Sequence, residues 1–245
     1  RGGVEAEGKL SLVLGAGNVA SIGPMDALYK MFVDGCVCIV KMNPVNEWVG
    51  EFLVEAFKPL VDKGYLRIVY GGGDVGKYLS EHPAVEDIHI TGSDKTHDLI
   101  VWGPAGPERD RRKAENRPVL AANKTITSEL GNVSPVIVVP GPYTAAELGS
   151  MAENVAGMIT NNGSFNCNAA KMLVTSKSWK QREDFLRRVR EVLVDRLHAR
   201  MVVVGADFHF GKGRAGNVAM LDAVGADLGF EVLGLGLVAP PDDDT

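Results

Sequence analysis

The sequence predicts an α/β protein that opens with a parallel sheet and crossover helices and continues into the start of a second α/β domain. Short apolar, β-branched runs alternate with helix-spaced stripes, and the early runs end in turns containing glycine or proline. No apolar run reaches the roughly 18 residues of a membrane span.

In chain order, "KLSLVLGAG" is a strand entering a glycine turn, and a helix leads to "CVCIVK", a buried strand rich in Val, Ile and Cys. After "MNP", Trp48, Val49, Phe52, Leu53, Ala56, Phe57 and Leu60 recur at spacings of three and four, which predicts one helix closed by Gly64. "YLRIVYGGG" is a third strand, "GDVGKYLSEHP" a short helix and "DIHITGS" a further strand. From Asp94 to about Thr127 the pattern weakens. "DLIVWGPAGPERDRRKAENRPVL" reads as a short strand, a charged loop or helix, and an extended Pro-containing stretch. Periodicity then returns: "SPVIVVP" is a strand, "TAAELGSMAENVAGMITN" a helix and "KMLVTS" a strand. "WKQREDFLRRVREVLVDRLHARM" is an amphipathic helix with Phe185, Val189, Val192, Leu193 and Leu197 on one side. The expected division is residues 1–128, residues 129–200, and a Gly- and Ala-rich tail, 201–245, to which no fold is assigned.

The 245 residues carry 26 basic and 31 acidic side chains, a net charge of -5, with no long basic tract. That balance offers no electrostatic footprint for nucleic acid or an anionic membrane, so neither partner is expected. Three cysteines, two of them as Cys36 and Cys38 in one strand, make no disulfide framework, which fits a reducing, cytoplasmic compartment. The start "RGGVEAEGKL" is not a signal peptide and lacks an initiator Met, which points to a segment of something longer.

Gly15, Gly17 and Ala20 in "GAGNVA" match the dinucleotide fingerprint G-x-G-x-x-G/A at a strand-to-helix turn. The fingerprint also asks for a carboxylate at the end of the next strand, and that residue is Lys41. The context therefore permits nucleotide binding but argues against the usual fingerprint, and both the conventional arrangement and a glycine turn with no ligand stay open.

Four segments taken together, "GNVASIGPMDALYKMFVDGCVCIVKMNP", "RIVYGGGDVGKYLSEHPAVEDIHITGS", "SELGNVSPVIVV" and "NNGSFNCNAAKMLV", stand in an order that resembles the aldehyde dehydrogenase superfamily. The resemblance runs from Gly15 to about Thr175. Lys41 follows Asn18 by 23 residues, the family's separation of its oxyanion Asn from its cofactor Lys. The resemblance implies a dinucleotide-binding domain over 1–128, part of a catalytic domain over 129–200, an aldehyde substrate, NAD or NADP, and a homo-oligomer in full-length form. It also implies a partial chain, because members are longer.

The chemistry asks for the same residue types. A thiolate converts an aldehyde into an adduct from which hydride can leave, and Cys167, on an Asn-Gly-Ser turn, is the candidate, while Cys36 and Cys38 stay structural. Asn18 matches the family's amide donor to the oxyanion, although Asn is also a favoured helix N-cap and a helix follows. Glu129, in "ELG", fits the base that activates water against the thioester. Lys41 would bond the adenosine ribose or a 2'-phosphate, Gly71 and Gly73 would let the backbone approach the adenosine side, and Gly92 with Ser93 would set a helix N-terminus beside the pyrophosphate.

Several departures from the family pattern qualify this reading. Pro44 stands where members often carry a ribose-binding Glu, which admits NADP beside NAD, with Glu47 or Asn46 a few residues on as the alternative that would reach the ribose and restore a preference for NAD. Phe165 replaces a Gln, His97 a helix-opening Gly, Asn132 the second Gly after "ELG", and 36 residues separate Ser93 from Glu129, more than the family norm. Two alternatives stay open. Phe165, His97 and the tail favour a catalytically silent homologue or fragment; a CoA-acylating enzyme is the other, and retention of Glu129 leans toward hydrolysis.

Overall fold

The computed structural model describes residues 8–206, 208–210 and 216–236. Among them the chain divides into two compact units, residues 1–133 with 165–168, and residues 134–164 with 169–245.

The first unit is built on five parallel strands. Leu10–Leu14 (β1) is followed by Ile22–Phe32 (α1), Val37–Lys41 (β2), and helical residues Pro44–Val49, Gly50–Ala56 (α2) and Lys58–Asp62 (α3). Leu66–Val69 (β3), Gly73–Glu81 (α4), Asp87–Gly92 (β4), Asp94–Trp102 (α5), Pro107–Ala114 (α6) and Thr125–Leu130 (β5) complete it. The strand order is β3-β2-β1-β4-β5. The chain winds outward from β1 through β2 to β3, then returns to the other side of β1 for β4, so β1 and β4 flank a topological switch point.

Alternation along the strands divides the core between the two faces. Val13, Cys38 and Val40 pack with Ala27 of α1 and with Leu53, Phe57 and Leu60 of the α2–α3 region. Leu12, Leu14, Ile88 and Ile90 pack on the opposite face with Leu79 of α4 and Ile100 of α5. Successive strand residues point to opposite faces, so the β4 positions that alternate with the two isoleucines, His89 and Thr91, fall on the α1 side. That side is polar there: Thr91 donates to Asp26 Oδ2 at 3.0 Å, and His89 Nδ1 lies 2.8 Å from Thr127 Oγ1.

Three sequence expectations are corrected in this unit. The stripe from Trp48 to Leu60 is not one helix but three consecutive helical pieces, because Pro59 opens α3 at a position where its missing N–H costs nothing. "DLIV" is not a strand; it lies in α5, which Ser93 caps by accepting from the Lys95 N–H at 3.0 Å. The strand in this region is instead the polar "TITSEL" of β5.

In the second unit, Pro135–Val138 (β6) pairs in parallel with Met172–Thr175 (β7), joined through Ala145–Thr160 (α7). Arg182–Glu191 (α8) packs on α7 around buried Leu148, Ala152, Val155, Trp179, Phe185 and Val189. α7 starts with a capping box between Thr144 and Glu147. The long charged stripe stops being α-helical at Glu191 and continues as a π-turn over Val192–Arg196. The described part of the tail is ordered in the parallel style. Met201–Gly205 (β8) pairs with Glu231–Leu235 (β11) across Val218–Leu228 (α9), with a two-residue antiparallel pair, His209–Phe210 (β9) and Gly216–Asn217 (β10), between.

Candidate active site

The residues singled out from the first-unit sequence gather at the carboxyl edge of its sheet. Register places Leu14 beside Lys41 and Lys41 beside Val69, while Thr91 and Gly92 lie opposite Glu129 and Leu130. Asn18 leaves β1, Lys41 ends β2, Gly71 and Gly73 follow β3, Gly92 and Ser93 close β4, and Glu129 sits one residue from the end of β5. In open parallel sheets this edge, at the switch point, is where ligands bind.

Asn18 is not the cap of α1. The cap position is Ser21, which makes no side-chain cap bond. The Asn18 amide goes elsewhere: its Nδ2 donates to the carbonyl of Phe165 at 2.9 Å, across 147 residues of sequence. Phe165 lies two residues before Cys167, and the segment 165–168 groups with the first unit. Fold and hydrogen bond therefore bring the candidate amide donor onto the turn that carries the candidate nucleophile.

That turn is conformationally costly. Asn162, Gly163 and Ser164 have φ of 49°, 60° and 68°, three consecutive left-handed residues, of which only glycine adopts the region without penalty. Cys167 is exposed, whereas Cys36 and Cys38 are buried in and beside β2. Burial pushes the Cys38 thiol up to about 12 and raises Cys36 as well, so neither is poised as a thiolate. Their expected structural role follows from that burial.

Glu129 is exposed on β5, two residues beyond Thr127 and therefore on the same face. Its register partner Thr91 belongs to the polar group of Asp26, His89 and Thr127. Sequence reasoning did not find this group, because its members are scattered over α1, β4 and β5.

At the end of β2 the side chain of Lys41 is buried, and that burial lowers its affinity for a proton against the charges of Glu47 and Asp74, which raise it. Three residues beyond Pro44, Glu47 Oε1 accepts from the Gly71 N–H at 2.9 Å. Asn46 is turned inward, its amide donating to the carbonyls of Ala16 at 2.9 Å and Gly17 at 3.2 Å, so it braces the first glycine turn. Gly15 is packed against Lys41 O and Gly17 against the Asn43 side chain, which explains those glycines by close packing. Gly71 adopts φ 120° and needs no Cβ for that reason, while Gly73 faces open space. Gly92 is exposed, and Ser93 caps the nine-residue α5 directly behind it, leaving a helix N-terminus at the switch point. Among the described residues no group of three or more His, Cys, Asp or Glu side chains is placed to hold a metal ion.

Comparison with known proteins is consistent with this arrangement. Residues 13–210 match the profile of the aldehyde dehydrogenase family. A provisionally named aldehyde dehydrogenase of Staphylococcus haemolyticus is 29% identical over 166 residues, covering 67% of this chain and 30% of the relative. The chain thus spans about 30% of the length of that curated relative. Two solved structures share the fold. One is a NAD-dependent aldehyde dehydrogenase from Sinorhizobium meliloti, with TM-score 0.54 and 19% identity over 76% of this chain and 33% of that one. The other is a succinic semialdehyde dehydrogenase from Streptococcus pyogenes in complex with NADP+, with TM-score 0.57 and 15% identity over 79% of this chain and 37% of that one.

Proposed function

The chain belongs to the aldehyde dehydrogenase family, and from that premise we propose that it carries the nucleophile and most of the cofactor edge of an enzyme that oxidises an aldehyde to a carboxylic acid with NAD or NADP. The observation that carries the proposal is the Asn18 amide on the Phe165 carbonyl. It ties the candidate oxyanion donor to the segment 165–168 that carries Cys167, through a contact that a mere helix cap would not make.

In this reading the Cys167 sulfur attacks the carbonyl carbon, a C–S bond forms, and the C=O π pair moves onto oxygen. An amide has two N–H donors, so the bond to Phe165 uses one and the other serves the oxyanion, together with the Cys167 backbone N–H. A nicotinamide, when bound, would supply the acceptor for the hydride that leaves that carbon as the oxygen pair re-forms the C=O bond. The thioester left on Cys167 is then hydrolysed: Glu129 takes a proton from water, the resulting hydroxide adds to the acyl carbon, and the C–S bond breaks to return the thiolate.

The cofactor edge fits a dinucleotide on three observations. Lys41 is a buried cation at the end of β2, α5 presents its N-terminus behind exposed Gly92 and capped Ser93, and Gly71 with Gly73 keeps side chains away from the end of β3. Lys41 and Glu47 would hold the adenosine ribose, with Glu47 opposing a 2'-phosphate.

The test is native alkylation with iodoacetamide read by mass spectrometry, combined with turnover of Cys167→Ala in the full-length protein. Cys167 is expected to label well before Cys36 and Cys38, and the variant to bind cofactor without turning over. Equal labelling of the three thiols, or retained turnover, would overturn the proposal. Fast labelling in a full-length parent that does not turn over would support the silent-homologue alternative.

A further inference from the structure

We infer that Lys171 is a positioning residue for Cys167: its ammonium clamps the two shoulders of the turn that presents the thiol. The inference rests on the reading of Cys167 as nucleophile and adds to it a residue that no motif singles out.

The geometry is that of a chelate. Lys171 Nζ lies 2.9 Å from the Ser164 carbonyl, 3.1 Å from the Ser164 hydroxyl and 3.0 Å from the Ala169 carbonyl. An ammonium has three N–H donors and no acceptor, so these three contacts match its full capacity. Ser164 precedes the segment 165–168 and Ala169 follows it, so the clamp spans the cysteine from both sides. Beyond it the chain is already anchored: Ala169 is fully buried, and the Ala170 N–H donates to the Met158 carbonyl of α7 at 2.9 Å.

The turn needs such a hold. Asn162 and Ser164 occupy the left-handed region, which disfavours side chains with a Cβ, and strained backbone persists only where its surroundings over-determine it. An exposed lysine ordinarily keeps its rotamer freedom in water; here three converging acceptors fix it. The ordering is useful at this point because attack by sulfur demands a defined direction, and a displacement of about 1 Å can cost on the order of 100-fold in rate.

The experiment compares Lys171→Met, Lys171→Arg and Ser164→Ala with the parent in the full-length protein. Two quantities are read: amide hydrogen exchange in peptides covering 161–170, and the rate of the first burst of reduced cofactor. Lys171→Met should raise exchange at least fivefold and slow the burst about 10- to 100-fold, with cofactor affinity within twofold. Lys171→Arg, which keeps charge and donors, should recover most of both losses, and Ser164→Ala, which removes one acceptor, should show a smaller change in the same direction. If exchange rises while the burst is unchanged, or the burst falls while exchange is unchanged, the positioning role is refuted. Retained turnover in Cys167→Ala would refute the nucleophile reading instead, and the exchange result would still decide whether Lys171 holds the turn.

Discussion

Asn18→Ala separates the two jobs assigned to one amide. The first is structural: a hydrogen bond of 2.9 Å to the Phe165 carbonyl at an exposed position. Such a bond contributes about 0.5–1.5 kcal/mol net, or roughly 2- to 12-fold in the population of the correctly held turn. The second is electrostatic: loss of one oxyanion donor costs on the order of 10²–10³ in the chemical step. Their product predicts a fall in the burst rate of at least about 10², while cofactor binding, carried by the ends of β2 to β4, stays within twofold. Alkylation of Cys167 by iodoacetamide develops no oxyanion, so it senses only the first job and should change by less than about tenfold. Stopped-flow detection of reduced cofactor and timed alkylation read by mass spectrometry give the two numbers on the same preparation. A burst rate within threefold of the parent would refute the oxyanion role. Equal losses in alkylation and burst would show that Asn18 acts only by holding the turn.

Glu129→Gln should preserve the burst and slow steady turnover by about 10²-fold or more, the scale of a lost general base, and a burst lost together with turnover would assign Glu129 to thiol activation instead. Glu47→Gln should relax cofactor choice toward NADP by about tenfold in the ratio of affinities, measured by fluorescence titration, because it removes the carboxylate beside Lys41; an unchanged ratio would place the discrimination elsewhere. Asp87→Ala should cost about 3–5 kcal/mol in urea unfolding followed by hydrogen exchange in β1 and β4, since it strips Lys30 of its buried partner 3.0 Å away, and a loss below about 1 kcal/mol would refute the importance of that pair. Burial raises the Asp87 carboxyl, but hydrogen bonds from Ser11, Lys30 and Thr125 outweigh it and hold the group below its ordinary value. Its contribution is therefore present above the unfolded carboxylate value of about 3.9 and is lost as pH falls through the lower folded one, so the difference between parent and variant should be flat near neutral pH and shrink in acid.

The strands β1, β2 and β4 were legible because their apolar residues pack against helices on both faces, which leaves a strong run in the sequence. β5 was not, and the reason is visible in its partners. Thr125 bonds Asp87 and Thr127 bonds His89, so the strand is polar on one side because it faces a polar stretch of β4. In α5 the apolar run "LIV" has the look of a strand, although "SDKTHD" in front of it carries the cap that decides the matter. Within the site, Asn18, Lys41 and Cys167 stood out by order and spacing. Glu47 stood out only as a carboxylate a few residues beyond Pro44, and Lys171 not at all, since a single charged residue has no period to betray it and acts here through groups of Ser164 and Ala169 brought close by the fold.

The two ends of the same sheet use charge in opposite ways, and burial is what separates them. At the amino end, Ser11, Lys30 and Asp87 are nearly inaccessible and satisfy one another, with Ser11 Oγ 2.6 Å from Asp87 Oδ2. Hydrogen bonds to Asp87 and Asp34 outweigh the burial that would otherwise make Lys30 lose its proton. Groups so matched have nothing left to offer a ligand, and removing one strands the others, so this end can only stabilise. At the carboxyl end, Asn18, Gly92, Ser93 and Glu129 are exposed, while Lys41 is buried. An exposed carboxylate or amide adds little to stability, which leaves it open to be selected for chemistry instead. Substitutions at the first end should therefore move unfolding and leave surviving molecules active, and those at the exposed positions of the second should move turnover and leave unfolding within about 1.5 kcal/mol. A Glu129→Gln protein destabilised as much as Asp87→Ala would break this division and return Glu129 to the structural class.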